Sequence, residues 1–223
     1  MNNTAEKTDT PAEGSSSCPL KERILLAAIQ EFGRRGYDAA STNAVVSSAG
    51  VSKGLLFHYY GSKEKLFLES SDYVIGQMAE YMIGRLDLSS NDIFDRLRHS
   101  LQVKMQFFNE HPVFIGIINL WFSEDRPLIE PLMEKHICKH QDANNNPDYI
   151  LSLLLQDAEL SKINDGIDLG KAIGYISMLL DACWNRFAAK YDNDPHIVGA
   201  NTDEYLAEAE VVLDIMKRGI YRA

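Results

Sequence analysis

GYDAASTNAVVSSAGVSKGLLFHYYGSKEKLF, residues Gly36 to Phe67, decides how the rest of this chain is read. Its punctuation spells two short helices and the start of a long one. Gly36 stops a preceding amphipathic helix. Thr42 offers an N-cap for a helix reaching Ala49 and closed by Gly50. Ser52 caps a second short helix to about Tyr60, Gly61 breaks it, and Ser62 caps the long helix beyond. The joint Ala49-Gly50-Val51-Ser52 is a four-residue turn with glycine, the joint of a helix-turn-helix. Gly50 permits the positive φ that reverses the chain, and Val51 fills the angle between the helices.

At about 100° per residue, Leu56 and Tyr60 share the side that faces the preceding helices. Gly54, Leu55 and His58 face away, flanked by Phe57 and Tyr59. A merely solvated helix would not display Leu, Phe, His and Tyr in a row. A helix that reads a DNA groove would, because apolar atoms meet thymine methyls and polar tips reach phosphates.

These residues closely resemble the N-terminal motif of the tetracycline-repressor (TetR) family of one-component transcriptional regulators. Gly36-Tyr37, Ser41-Thr42, Ala49-Gly50-Val51-Ser52, Gly54, Leu56, Tyr59-Tyr60, Lys63-Glu64 and Leu66-Phe67 all fall in register. With the helix before it, the resemblance covers roughly residues 20–68; beyond that the chain is similar only in kind, as an all-helical body. The resemblance implies a homodimer that binds a pseudo-palindromic operator and releases it when a small-molecule effector enters the body. It implies phosphate contact at Thr42 and at Lys63, groove entry at Ser52, Lys53 and Gly54, and contact positions at Phe57, His58 and Tyr59, with Leu55 among them. Phe57 stands where many members have tyrosine, losing a phenolic bond to phosphate. Tyr60 stands where phenylalanine is usual, so its hydroxyl must find a partner at the edge of the core.

Ahead of the motif, Leu20, Ile24, Leu25, Ala28, Ile29 and Phe32 form a helical stripe that ends at Arg34-Arg35, charges suited to a helix C-terminus. Residues 1–18 are polar and rich in small residues and are expected to form a flexible tail with no secretory h-region. The head therefore spans residues 19–66 and a ligand-binding and dimerisation body spans 67–223. Helices are expected over 63–86, 91–109, 112–123, 128–140, 148–161, 168–190 and 203–220. No window alternates with period two, so the class is all-α, a three-helix head joined to a larger helical bundle.

The 223 residues carry a net charge of −10, which by itself argues against nucleic acid. Its distribution argues otherwise. Residues 19–65 hold seven basic and four acidic residues, whereas 66–223 hold 14 and 25. A basic head on an acidic body lets a polyanion meet only the head. The longest apolar run, Phe114 to Phe122, falls far short of the ~20 residues of a membrane span. Three scattered cysteines, Cys18, Cys138 and Cys183, form neither a disulfide framework nor a CxxC knuckle, which fits a reducing cytoplasm. There is no Gly-rich phosphate loop, GxSxG elbow or HExxH, so neither an enzyme nor a cofactor is expected.

In the body, Met78, Tyr81, Phe107, Phe108, Trp121, Phe122 and Met178 are candidates to line an effector cavity, with His111, Asn119 and Asp181 orienting the ligand. The same residues also read as plain core with partnered polar groups. His136 and His140 share a helix face while Cys138 points elsewhere, so the trio favours a surface helix end over a metal site. Apolar residues exceed one stripe on the last two long helices, Asp168 to Tyr191 and Asp203 to Tyr221, as a four-helix dimer interface requires. The helix from Lys63 is read as the one element touching both functions, with Met78 and Tyr81 sensing the ligand. The competing class is an all-α ligand- or metal-sensing module without DNA binding.

Overall fold

The computed structural model describes residues 19–122 and 153–221. It is all-α: among the described residues there is no strand, only an isolated bridge between Ile163 and Tyr221. Besides the helical residues 153–155, nine α-helices occur in order among these residues: α1 Leu20–Ala39, α2 Thr42–Ala49, α3 Lys53–Tyr60, α4 Lys63–Ile83, α5 Ile93–Glu110, α6 Ile115–Phe122, α7 Leu169–Lys190, α8 Pro195–Ala200 and α9 Thr202–Ile220. The tail 1–18, the helix expected over 128–140 and the His136, Cys138, His140 trio lie outside the described residues.

Most boundaries obey the local chemistry. Gly36 takes φ +73 and interrupts α1 at the expected stop, leaving a short helical turn to Ala39. Ser62 accepts from the Lys65 N–H at 3.0 Å, and Asp168 from the Lys171 N–H at 3.1 Å, so both long helices start on capped ends. Three expectations need correction. Thr42 is the first helical residue and Ser41 holds the cap position, without a side-chain cap bond. The helix expected over 148–161 does not reach 161, because Asp157 takes φ +55 and the backbone turns there. Asp192–Pro195 is not mere punctuation: Asp194 accepts from the N–H groups of His196 and Ile197 and starts α8, with Pro195 in its first turn.

Packing builds one continuous core. In the head, Ile24, Ala28, Ile29 and Phe32 of α1 pack with Leu56 and Tyr60 of α3 and with Leu66 and Phe67 of α4, all buried. In the body, Trp184 of α7 packs its ring against Phe108, Phe187 and Tyr205, with centroids 5.2, 5.6 and 5.2 Å away. Trp184 stands four residues after Leu180 and three before Phe187, on the inner face of α7, where its aromatic partners on α5 and α9 bury it. Arg96 of α5 is buried too, and its guanidinium donates to the carbonyls of Leu88, Ser90, Leu154 and Gln156. Head and body meet along α4, and also where α6 lies directly on α1. The long helix from Lys63 is thus not alone in touching both.

Candidate nucleic-acid interface

The site is built from α1 outward. Glu31, buried in α1, accepts the Ser41 N–H at 3.0 Å and fixes the first turn of α2, the work expected of a Thr42 cap. Arg23 of α1 donates to the Ala49 carbonyl at 2.5 Å and secures the other end of α2. Gly50 then takes φ +64 and ψ +41, the left-handed conformation that the sharp turn needs. Ser52 accepts from the Leu55 N–H at 3.2 Å and caps α3.

Two side chains seat α3. Leu56 and Tyr60 are fully buried, and the Tyr60 hydroxyl donates to the Lys21 carbonyl at 2.8 Å, the partner its position demanded. Burial, followed by the nearby Glu69 carboxylate, raises the pKa of that hydroxyl. With those two turned inward, Gly54, Phe57 and His58 are exposed while Leu55 and Tyr59 are half-buried. The His58 and Tyr59 rings meet edge to face at 5.5 Å, and Lys53 Nζ lies 6.0 Å from the Phe57 ring. The outward row expected of a groove reader is present as a continuous polar and aromatic face.

Its electrostatics are sparer than the count of basic residues implies. Lys21 and Lys65 pair with Glu69 at 3.4 and 3.9 Å, and Arg34 pairs with Glu31 at 3.6 Å. Lys63 donates to the Asp38 carbonyl at 3.0 Å with its ammonium 4.9 Å from the Tyr37 ring, joining α4 to the end of α1. Lys53 and Arg35 form no ion pair among the described residues. Thr42 is half-buried at the start of α2. The sequence singled out every residue on the outward face but missed Glu31 and Arg23, which hold that face in place.

Several of the candidate effector residues pack around Phe107, whose ring centroid lies 5.2 Å from that of Tyr81, 5.0 Å from His111 and 6.1 Å from Phe108. Tyr81 packs its edge on Phe107 at 5.2 Å under the Arg85 guanidinium, 3.7 Å above its ring, and His111 stacks on Phe114 at 5.6 Å. Burial raises the Tyr81 hydroxyl, and the Glu110 carboxylate adds to this. Phe108 belongs to the Trp184 cluster, and Asn119 is engaged by the Trp184 indole N–H at 2.8 Å. Asp181 is half-buried near Lys104, whose amine is lowered by desolvation against the pull of that carboxylate. Met78 is half-buried on α4. Met178 is 67% exposed, on the outer side of α7. Trp121 and Phe122 lie in the last turn of α6. A cleft of about 750 Å³ opens between α1 and the turn 192–196, and another of about 600 Å³ runs along α4 past Tyr73, Gly76 and Glu80.

Residues 24–70 match the model of bacterial regulatory proteins of the tetR family, and residues 91–221 match that of the tetracyclin repressor-like C-terminal domain. The HTH-type transcriptional repressor AcnR of Corynebacterium diphtheriae is 23% identical over 177 residues, 78% of this chain and 84% of that protein. The HTH-type transcriptional regulator YerO of Bacillus subtilis is 29% identical over 99 residues, 44% of this chain but 34% of its own length. Among solved structures, a TetR family regulator from Chloroflexus aurantiacus superposes with a TM-score of 0.63 at 22% identity, covering 93% of this chain and 96% of that one. FadR from Bacillus subtilis, solved in complex with stearoyl-CoA, gives 0.61 at 19% identity over 90% and 99%.

Proposed function

Because this chain belongs to the TetR family of DNA-binding transcription regulators, we propose that it works as a homodimeric cytoplasmic repressor, released from a pseudo-palindromic operator by a small-molecule effector. The observation that carries this reading is α3: capped by Ser52, anchored by Leu56 and Tyr60, it turns Gly54, Phe57, His58 and Tyr59 away from the core. Ser52, Lys53, Gly54 and Leu55 then enter the major groove, and Thr42, Lys63 and Lys53 meet phosphates on its walls. The head comprises residues 19–66 and the body 67–223, with α4 running from one into the other.

Dimerisation is supported by the surface of α7 and α9, which pack side by side. Tyr175, Met178, Val211 and Ile215 are 59, 67, 58 and 63% exposed, and Leu179 joins them. An apolar stripe shared by two neighbouring helices is what a four-helix interface between two copies needs. Met178 serves there rather than in an effector site. The effector enters the body, where Tyr81, Phe107 and His111 join Phe108, Trp184 and Asn119 through the Phe107–Phe108 contact. FadR in its complex holds stearoyl-CoA; here the aromatic and Met-bearing body supports a largely apolar effector.

The test is selection of bound duplexes from a random pool, followed by affinity measured against salt. An enriched inverted repeat, with log K falling steeply as log salt rises, supports the proposal. A pool that never enriches, with no salt-dependent binding, would leave the competing ligand-sensing module. Sedimentation at micromolar protein should show a dimer; a monomer would exclude paired half-sites.

A further inference from the structure

Two adjacent serines of α4 meet different fates. The Ser70 hydroxyl donates to the Leu66 carbonyl one turn back at 2.8 Å, the ordinary way a buried serine is satisfied inside a helix. The Ser71 hydroxyl has no hydrogen-bond partner, although the residue is only 2% exposed. Nearly three turns further along, the Tyr81 hydroxyl is likewise buried and without a partner. Burial and then the nearby Glu110 carboxylate raise that hydroxyl, but the carboxylate completes no hydrogen bond to it and accepts from the Gln106 amide at 2.9 Å.

The two hydroxyls are related by the helix that carries them. Ten residues at ~100° each leave Ser71 and Tyr81 about 80° apart around α4 and about 15 Å apart along it. Val74, buried, and Met78, half-buried, lie between them on the same side. At the far end the Phe107 and His111 rings stand against Tyr81, with centroids 5.2 and 6.3 Å from its own. The inner side of α4 is thus an apolar strip with one unsatisfied hydroxyl at each end. Each of these hydroxyls costs stability in the ligand-free protein, and alanine or phenylalanine would occupy the same places without that cost.

We infer that Ser71 and Tyr81 are the polar anchors of the effector, and that the effector is an elongated, uncharged molecule with a hydroxyl or carbonyl oxygen at each end of an apolar chain. The inference rests on the effector-released reading above and gives its ligand a chemistry. Tyr81 donates to one terminal oxygen, and Ser71 donates to or accepts from the other. The chain between them lies on Val74 and displaces Met78, whose unbranched thioether repacks without strain. A charged end is disfavoured: neither anchor carries a charge, and at Tyr81 the Arg85 guanidinium above the ring and the Glu110 carboxylate oppose each other.

The probes are the terminal diols of octane, decane and dodecane, with decanol as the chain bearing a single oxygen. Calorimetry on the full-length protein reads their binding, and affinity for a selected duplex reads release. Decanol is the more hydrophobic, so apolar burial alone ranks it first. With both anchors engaged, one of the diols should bind about tenfold tighter than decanol and weaken duplex binding. Ser71→Ala and Tyr81→Phe should each erase that preference while leaving the urea midpoint of the ligand-free protein unchanged or higher, because each removes an unsatisfied group. A wild-type protein that binds no diol better than decanol would overturn the anchors; so would a preferred diol that leaves duplex affinity unchanged, or a midpoint that falls in either variant. Duplex selection without any diol preference discards the anchors and keeps the regulator reading, whereas a diol preference abolished by both substitutions, in a chain that enriches no duplex, does the reverse.

Discussion

The indole N–H of Trp184 donates to the Asn119 side-chain oxygen at 2.8 Å, joining the helix that bears the exposed apolar stripe to the helix that lies on the head. Among aromatic and aliphatic side chains, this one polar bond fixes the register of α6 against α7. Asn119→Leu would keep the volume but strand a buried indole donor, at a cost of about 1–3 kcal/mol. The urea midpoint should fall accordingly with an unchanged slope.

Gly50 and Gly61 both sit at positive φ, +64 and +74, yet they should not respond alike to alanine. At Gly61, with φ +74 and ψ −48, an added Cβ meets nothing within 4 Å, so the cost is the strained positive-φ backbone alone, about 1–3 kcal/mol. At Gly50 the Cβ would lie 3.0 Å from Arg23 Nη2 and push the guanidinium from the Ala49 carbonyl. In thermal unfolding, Arg23→Met should lessen the further cost of Gly50→Ala and leave that of Gly61→Ala unchanged.

On DNA, Lys53→Ala should weaken every duplex and reduce the salt slope by about one per head. Lys63→Ala should do the same and also lower stability, because its ammonium holds the Asp38 carbonyl. His58→Ala should instead change which duplexes are enriched. Equal affinity of that variant for the selected repeat and for random sequence would confine His58 to the backbone.

Alkaline stability should fall. Burial raises the hydroxyls of Tyr60, Tyr205 and Tyr221, reinforced by Glu69, by Asp181 and by the Asp92 carboxylate respectively. The folded chain therefore holds protons that the unfolded chain releases near pH 10.0, the ordinary value for the group. Folding binds more protons than unfolding, so stability declines as pH climbs from 10 toward the raised values. Urea unfolding measured from about pH 8 to about pH 11 should show this decline, and Tyr60→Phe should make it shallower.

How much of this was legible in the sequence depends on the range of the interaction. The Ser52 and Ser62 caps, the Gly50 turn and the two faces of α3 follow from residues within four positions of each other, and they stand where the spacing put them. Glu31 replaces the Thr42 cap, and Arg96 gathers four carbonyls, through contacts that only tertiary packing creates. Asp194-Pro195 did carry a helix-start signal, but a helix as short as α8 shows too little periodicity to be read. Gly33 and Gly116 each interrupt a helical pattern, a hint of close packing; that they meet one another cannot be read along one dimension. In the body, the aromatic residues fell where a core or a cavity would put them, and spacing alone does not separate the two.

Carboxylates offset part of the head's positive charge: Lys21 and Lys65 share Glu69, and Arg34 lies beside Glu31. Attraction to DNA of arbitrary sequence grows with each phosphate neutralised, so a head with so few uncommitted cations clings poorly to the wrong site. The chromosome, millions of base pairs of competing polyanion, is then a weak sink. In the proposed repressor, few copies should be sequestered there, and a small cellular pool should suffice to keep one operator filled.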